Sequence, residues 1–598
     1  MNLAQSLNGL SEAEAQTAME EARARRVLDS PAGPSRVRFL HDKLREVVLE
    51  GLTPSRRRAL HGQAADALAR TGTATSFDLA YHLHAAGRLE EALAPALAAA
   101  EEARARHALG LAEANFVIAG EAAEATITAN EGGSALRARV AEGLADVLAL
   151  AGRYSEADEQ LERASHLSSD PLARAAVEAK RGEVSFRRGD QANSARQLED
   201  ALRRLGRWVP RHAVGFWVGA IWELLVQTAH SLLPRILVRT ESRDMSARDR
   251  LTLHVYSRLA YTYWFRSGRV RCAWAHLREM NMAERFGPSP ELAQAYSEHA
   301  PVMTMIPWYQ RGRTYAERSL AMRTDLGDLW GQGQSLGFKG VVLYAASRYQ
   351  ECIESCQQAV QILARTGDQW ETNTATWHIA FAYYRLGEMD RAAELAAQLY
   401  SDATEIGDWS AAGIALSAWA RASGGDIPEA FTATELERRN EDVHTSTEVR
   451  LAEAIRLLAH DRPAQAVSLL EEARKAVKLA GLRQEYVAPV LPWLATALRE
   501  LYVALPADDR QRRALLRRRR QVARGAHRLA GSYKNNLPHA LRELAMVEAD
   551  AGRHRSARRH LDQSIALAHE QGAAAEEARS RTVAIDRIPA SPDFHPRV

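Results

Sequence analysis

Apolar residues recur every three to four positions along most of this chain, which is the spacing of amphipathic helices. In one such run, Trp377, Ala380, Phe381 and Tyr384 fall on one helical face. Alanine, leucine, arginine and glutamate dominate the composition while valine and isoleucine are sparse, and this balance favours helix. The pattern therefore predicts an all-α protein.

A 40-residue period runs through the middle of the chain. Glycines stand at Gly287, Gly327, Gly367 and Gly407, each 40 residues after the one before. Three of them open similar phrases: Gly327-Asp328-Leu329-Trp330, Gly367-Asp368-Gln369-Trp370 and Gly407-Asp408-Trp409. About 20 residues further on come second turns, at Ser347, Gly387 and Gly425. A fixed period of this size predicts a stacked helical-repeat protein.

Each repeat has a simple physical interpretation. Glycine ends a helix because it adopts the left-handed conformation without a Cβ clash. The aspartate that follows can cap the next helix through its carboxylate. Each unit then forms two antiparallel helices of about 14–17 residues, and stacking on neighbouring units buries the apolar faces. A small residue five positions after a turn glycine recurs at Ala92, Ala157, Ala273, Ala392, Ala430 and Ala557.

The N-terminal part carries a recognisable junction. Its matching residues are Phe39, His41, Asp42, Arg45, Glu46, Arg57, Arg58, Leu60, His61, Ala64, Ala65, Leu68, Leu79, Ala80, His82, Ala86 and Gly87. They resemble the point in large bacterial STAND-type signalling ATPases where a winged-helix module ends and tetratricopeptide-like repeats begin. Such proteins are often fused to Ser/Thr kinase, cyclase or histidine kinase domains. The resemblance concerns their non-catalytic arm.

The resemblance implies a fold and a function. The expected fold is an all-α, tetratricopeptide-like α-solenoid, a right-handed superhelix of about a dozen helix pairs, after a small winged-helix remnant. The expected function is a cytoplasmic, non-enzymatic regulatory arm that senses a protein, peptide or small effector in its concave groove. Two alternatives stay open: a stand-alone adaptor that recruits partner proteins, and the C-terminal part of a kinase–ATPase whose catalytic domains lie outside this chain.

Breaks in the pattern predict seven segments. These are 1–70, winged-helix remnant and junction; 71–204, first repeat block; 205–250, apolar irregular insertion; 251–480, regular 40-residue repeats; 481–530, Pro-containing and basic segment; 531–587, C-terminal repeat; and 588–598, disordered tail.

Composition, net charge and cysteine content limit the partners and the compartment that the chain can have. The 598 residues are 46% hydrophobic and 26% charged, typical of a folded protein, and the net charge of +3 gives no global field for nucleic acid. The three cysteines, Cys272, Cys352 and Cys356, fit a reducing compartment. No secretory signal is visible. We therefore expect a cytoplasmic protein without a nucleic-acid partner, and homo-oligomerisation stays open.

The apolar stretch Val214–Leu233 raises the membrane question. It contains Glu223, Gln227 and His230, and a charge near the middle of a spanning helix is costly. The favoured interpretation is a buried or interfacial helix, with association at a membrane surface as an alternative and a true span as the least favoured one.

No pattern of catalytic chemistry is present. The chain lacks a phosphate-cradling Gly-x-x-x-x-Gly-Lys-Ser/Thr motif, a kinase catalytic loop and a Gly-x-Ser-x-Gly elbow. It also lacks Cys-x-x-Cys and His-Glu-x-x-His spacings. The sequence thus predicts no catalytic residue, no cofactor and no metal.

Two sets of residues are candidates for contact with a partner. One is aromatic and recurs with the repeat, and core packing is its favoured role. The other is the arginine run at 510–524, where a solvated face paired with acids is favoured over a docking patch or nucleic acid. The candidate groove residues are Trp308, Tyr309, Trp330, Trp370, Trp377, Tyr384, Trp409, Arg517 and Arg520.

Overall fold

The structure is a computed structural model that describes residues 11–29, 38–71, 74–126, 131–266, 268–438, 442–506, 508–586 and 588. Its helices are α1 Glu12–Ala24, α2 Asp42–Glu50, α3 Pro54–Thr71, α4 Ser76–Ala85, α5 Leu89–Ala105, α6 Leu109–Thr126, α7 Glu131–Leu150, α8 Tyr154–Leu167, α9 Pro171–Arg187, α10 Gln191–Arg204, α11 Ala213–Leu232, α12 Pro234–Leu237, α13 Ala247–Arg266, α14 Gly268–Ala283, α15 Pro290–Val302, α16 Tyr309–Asp325, α17 Leu329–Ala345, α18 Tyr349–Thr366, α19 Gln369–Leu386, α20 Met389–Ile406, α21 Trp409–Ala422, α22 Glu429–Glu437, α23 Val443–Ala459, α24 Pro463–Ala480, α25 Val490–Ala504, α26 Arg512–Ala530, α27 Leu537–Asp550, α28 His554–Glu570 and α29 Ala574–Asp586. A 3-10 turn spans Lys534–Asn536, and the strands are β1 Leu28–Asp29 and β2 Arg38–Phe39.

The helices confirm the all-α, tetratricopeptide-like prediction. Many consecutive helices pack on each other, as α16 does on α17 and α17 on α18. The largest apolar core runs from Leu336 to Ala573 and joins side chains of many successive pairs. Stacking therefore buries the face that one pair leaves exposed.

The predicted turn chemistry is present. Gly367 and Gly407 have φ angles of 77° and 75°, in the left-handed region that favours glycine. The side chain of Asp368 accepts from the N–H of Glu371 at 3.2 Å, and that of Asp408 from Ala411 at 3.1 Å. The Gly-Asp phrases are thus helix stops and caps, as predicted.

The phrases also connect successive repeats. The indole N–H of Trp330 donates to Asp368 at 3.1 Å, and the amide of Asn373 donates to Asp408 at 3.0 Å. Both carboxylates are buried. The capping aspartate of one pair is therefore also an acceptor for the pair before it.

The rule of a small residue five positions after a turn holds only in part. Ala92, Ala157, Ala392 and Ala557 are fully buried, whereas Ala273 is half-buried and Ala430 is exposed. Helix α14 begins at Gly268 itself, which places Cys272 in the buried position. Helix α22 begins only after Pro428, so the register shifts there as well.

The chain divides into two compact units. The first comprises Met1–Ala149 and Ser155–Asp170, and the second Leu150–Tyr154 and Pro171–Val598. In the first unit, β1 and β2 pair antiparallel with Leu28 opposite Phe39. The winged-helix assignment of 1–70 stays a prediction. The predicted disordered tail lies outside the described residues, except for Ile588.

Helix α11 contains nearly all of the apolar stretch and has its polar face turned inward. Its buried residues are Phe216, Gly219, Glu223, Gln227 and His230. Its outward face is apolar, with side chains 52–75% exposed: Val214, Trp217, Val218, Ile221, Trp222, Leu224, Leu225 and Leu232. The helix is thus interfacial rather than fully buried. Among the described residues, no helix combines the length and apolar character needed to cross a membrane.

Candidate functional site

The second unit contains an apolar cavity lined mostly by aromatic side chains. Its volume is about 70 Å³, which leaves room for a ligand of about one ring. Side chains from α13, α14, α15, α17, α19, α23 and the segment before α25 meet there. They are Ala260, Tyr261, Trp264, Phe265, Cys272, His276, Glu298, Pro301, Val302, Phe338, Val341, Trp370, Thr374, Trp377, His378, His444 and Tyr486.

The rings of the cavity wall hold one another in place. Tyr261 contacts Trp370 edge-on, with ring centroids 6.0 Å apart. His444 stacks on Phe265, with centroids 5.5 Å apart and 24° between the planes. Its other neighbour is Tyr486, at 4.9 Å. Such contacts add to the stabilisation from burial and make the wall rigid.

The cavity histidines are neutral at physiological pH. Burial lowers the pKa of His378 to about 4, and burial followed by the charges of His378 and Arg421 lowers that of His444 to about 3. His378 Nδ1 donates to the carbonyl of Thr374 at 2.7 Å. Its Nε2 therefore accepts from the hydroxyl of Tyr486, at 2.6 Å.

Several polar atoms of the lining have no partner among the described residues. Among them are the indole N–H of Trp377, the hydroxyl of Tyr261 and both ring nitrogens of His444. All three side chains are buried or nearly so. Leaving such groups unpaired costs about 1–3 kcal/mol each. A ligand with hydrogen-bonding atoms at its edges would satisfy them.

A buried acid–histidine group adjoins the cavity and could be considered for a metal. His276, Glu279 and Glu298 each bring one ligand atom within 4.8 Å of the others. The hydrogen-bond chain argues against it, however. Arg311 donates to His299 Nε2 at 3.1 Å, so His299 carries its proton on Nδ1 and donates to His276 Nε2 at 2.9 Å.

His276 must then carry its own proton on Nδ1, the atom that faces Glu279 at 3.8 Å. A metal ligand needs a free lone pair there. Burial, and next the charge of Glu298, raise the pKa of Glu279, which favours a carboxyl proton shared between Glu279 and Glu298. The residues fit a shared proton better than a metal, and the prediction of no metal stays a prediction.

A second, polar cleft lies beside the cavity, with a volume of about 510 Å³. Arg258, Arg323 and Glu183 line it, and Arg258 also extends over the ring of Tyr261, 5.1 Å from its centroid. Close by, burial and then the charge of Asp368 raise the pKa of Glu371 to about 7. The cleft is ion-paired, in contrast to the apolar cavity.

The structure brings together only two of the predicted groove residues. Trp370 and Trp377 are buried and line the cavity. Trp330 lies in the polar cleft instead, with its indole N–H bonded to Asp368.

The other predicted aromatic residues lie elsewhere. Trp308 is exposed, and the hydroxyl of Tyr309 donates to the carbonyl of Ser532 at 3.3 Å. Tyr384 is buried beside the guanidinium of Arg579 at 2.7 Å. The half-buried ring of Trp409 lies 3.5 Å from the guanidinium carbon of Arg438. None of these four residues lines the cavity.

Most of the arginine run lies in helix α26, and three of its arginines, Arg518, Arg519 and Arg520, pair with acids. Arg519 is buried and donates to Asp550 at 2.6 Å, and Arg520 donates to Glu548 at 3.3 Å. Arg517 is exposed and reaches only the carbonyl of Arg513, at 3.4 Å. The pairing agrees with the favoured interpretation of a face neutralised by nearby acids.

The sequence did not reveal His276, His378, His444, Tyr261 or Tyr486 as cavity residues. A weak signal was available at His378, which stands inside the apolar run of α19. For His444 and Tyr486 no local signal existed, because their role depends on contacts with helices more than 60 residues away in sequence.

Comparisons with known proteins return similar folds only. No family model and no curated protein matches this chain. One similar structure is a signal-transduction ATPase with numerous domains and a tetratricopeptide repeat sensor from Pyrococcus horikoshii. The two chains are 12% identical and superimpose with a TM-score of 0.35, and the match covers 79% of this chain and 62% of that one. This chain thus spans less than two thirds of that protein.

Two other structures are a Rap protein complexed with competence and sporulation factor and the APC/C hetero-tetramer Cut9-Hcn1. The first has 12% identity and a TM-score of 0.41, covering 74% of this chain and 99% of that one. The second has 12% identity and a TM-score of 0.40, covering 89% and 98%. No functional argument rests on likeness at this level.

Proposed function

We propose that this chain is a non-catalytic sensory and interaction arm of a bacterial cytoplasmic signalling protein, and that its aromatic cavity holds a small planar effector. The observation that carries the proposal is the unpaired indole N–H of Trp377 beside the unpaired nitrogens of His444, in a wall made of rings. A packed core has no reason to leave these groups unsatisfied.

The cavity wall suggests the chemistry of the effector. Its rings provide flat apolar surfaces, and its histidines are neutral, so no strong positive charge meets the ligand. Trp377 needs an acceptor, while neutral His444 offers one donor and one acceptor. A planar aromatic molecule with a hydroxyl or carbonyl at its edge fits these requirements.

The position of the cavity suggests how binding is passed on. Its lining extends from Ala260 to Tyr486, so several helix pairs contribute to one wall. A ligand that bridges them would favour the arrangement in which all of them contact it. It can shift the arm between conformations only by its difference in affinity for them.

Calorimetric titration with phenol, a single planar ring with one hydroxyl, tests the proposal. We expect saturable binding to the wild type and at least about tenfold weaker binding to Ala260→Phe, in which the new ring fills the cavity. Ala430→Phe, at an exposed position of α22, is the matched control and should bind like the wild type.

Trp377→Phe provides a second test if Ala260→Phe does not fold. It removes only the N–H donor and keeps the ring, so we expect about fivefold to tenfold weaker binding. Absence of binding to the wild type, or equal binding by the wild type and both cavity variants, would overturn the proposal. Tight, Mg²⁺-dependent nucleotide binding would contradict its non-catalytic part.

A further inference from the structure

Helix α11 carries its polar residues toward the protein and its apolar residues toward solvent. At 100° per residue, Val214, Trp217, Val218, Ile221 and Leu225 fall within one broad sector. The buried residues fall in the opposite sector. This is the reverse of a surface helix in a soluble protein, whose apolar stripe faces the core.

The inward polar face fixes the orientation of the helix. Glu223 accepts from Arg278 at 2.6 Å and from the amide of Asn281 at 2.8 Å. His230 Nδ1 lies 2.5 Å from a carboxylate oxygen of Glu284. Gly219 allows close approach, since a Cβ there would lie 2.7 Å from the ring of Trp274. Rotating the helix to hide its apolar face would break these bonds and the close contact at Gly219.

The apolar surface continues beyond the helix. Trp208 is 64% exposed just before it, and Ile236 is 77% exposed in α12 just after it. Contiguous apolar surface of this kind marks an interaction site. We call this surface, formed by residues 208–237, the outward apolar face.

Arginines bracket the outward apolar face. Arg204, Arg211, Arg235 and Arg239 are exposed, and within the described part of the chain none of them has an ion-pair partner. The only acid between positions 204 and 240 is Glu223, which is buried. The face is therefore apolar in the middle and positive at both ends.

We propose that the outward apolar face lies on an anionic lipid surface, with α11 parallel to the membrane plane. Apolar side chains of such a helix enter the boundary between headgroups and acyl chains, and tryptophans favour that depth. The flanking arginines then meet lipid phosphates. A second copy fits less well, because a symmetric contact through the same surface would bring the arginine-flanked ends of two copies together.

Vesicle flotation of the full chain tests this proposal. We expect it to float with vesicles of phosphatidylcholine containing about 30% phosphatidylserine, and to bind pure phosphatidylcholine vesicles at least about tenfold more weakly. The double variant Trp217→Gln/Trp222→Gln should lose at least about tenfold in binding, since two large apolar groups no longer enter the lipid. Both side chains are exposed, so the fold should persist.

Matched variants separate the electrostatic contribution to lipid binding from the apolar contribution. Arg235→Gln should weaken binding to the anionic vesicles about fivefold and leave binding to neutral vesicles unchanged. Trp308→Gln, which alters an exposed tryptophan outside the outward apolar face, should bind like the wild type.

Two results would overturn the proposal. One is equal flotation of the wild type and the double variant. The other is absence of flotation together with a dimer in sedimentation experiments. If the double variant abolishes that dimer, the face serves self-association.

Discussion

The imidazole of His444 stacks on the ring of Phe265, with 5.5 Å between the centroids and 24° between the planes. The two residues belong to α23 and α13, which are separated by many repeats in the sequence. Neither nitrogen of His444 has a partner among the described residues. This pair joins distant helices at the cavity wall, and it makes the cavity's stability sensitive to pH.

Replacing His444 with phenylalanine should reduce that sensitivity. The pKa of His444 is about 3 in the fold and near 6.5 when unfolded. The stability due to its neutral form is complete above pH 6.5 and declines as the pH falls toward 3. Between pH 6.5 and 4.5 the wild type should therefore lose about 2 kcal/mol of its free energy of unfolding through this titration, and His444→Phe should not show that loss. Urea denaturation at both pH values measures this, and a difference independent of pH would refute the assignment.

The capping aspartates should differ in importance. Asp328 is 29% exposed, caps one helix and lies 3.8 Å from the buried guanidinium of Arg323, so Asp328→Ala should cost about 1–2 kcal/mol. Asp408 is buried and also accepts from Asn373, so Asp408→Ala should cost about 2–3 kcal/mol. A double-mutant cycle with Asn373→Ala should show coupling, and additive losses would mean that the bond between repeats contributes nothing.

Two glycines of α17 form a matched pair for testing the packing. A Cβ at Gly340 would lie 2.2 Å from the sulfur of Cys356, whereas one at Gly337 would only touch the Cβ of Ala359 at 3.8 Å. Gly340→Ala should lower the free energy of unfolding by about 1–3 kcal/mol. Gly337→Ala should raise it by about 0.5–1 kcal/mol, because alanine favours helix. Chemical denaturation gives both values. A stabilising Gly340→Ala together with a destabilising Gly337→Ala would contradict the close packing of α17 on α18.

Neighbouring arginines of α26 should behave differently. Arg519 is buried and paired with Asp550, so Arg519→Ala should cost about 3 kcal/mol. Arg517 is exposed, and Arg517→Ala should change stability by less than about 0.5 kcal/mol. Thermal unfolding compares the two. Equal effects would show that the arginine run acts as one surface patch.

The repeat could be predicted from sequence because its signals are local. A glycine stop and an aspartate cap act within one turn of helix, so Gly367 and Asp368 revealed their roles without any tertiary contact. The cavity could not be predicted in this way. Trp330 and Trp370 occupy the same place in their phrases. Yet the indole N–H of Trp330 donates to Asp368 of the next repeat, while Trp370 lines the cavity.

The orientation of α11 could not be predicted from the sequence either. Glu223, Gln227 and His230 have the spacing of one helical face. Whether that side faces the protein depends on Arg278, Asn281 and Glu284, about 55 residues later. Burial of polar groups in ion pairs reversed the usual arrangement.

Hydrogen exchange with and without phenol tests most directly the claim that one ligand joins distant helices at the cavity. Saturating phenol should slow amide exchange together in α13, α19 and α23, and Ala260→Phe should abolish this protection. Protection confined to α11, whose exposed apolar side chains offer another place for phenol, would contradict the claim, as would unchanged exchange in all three helices.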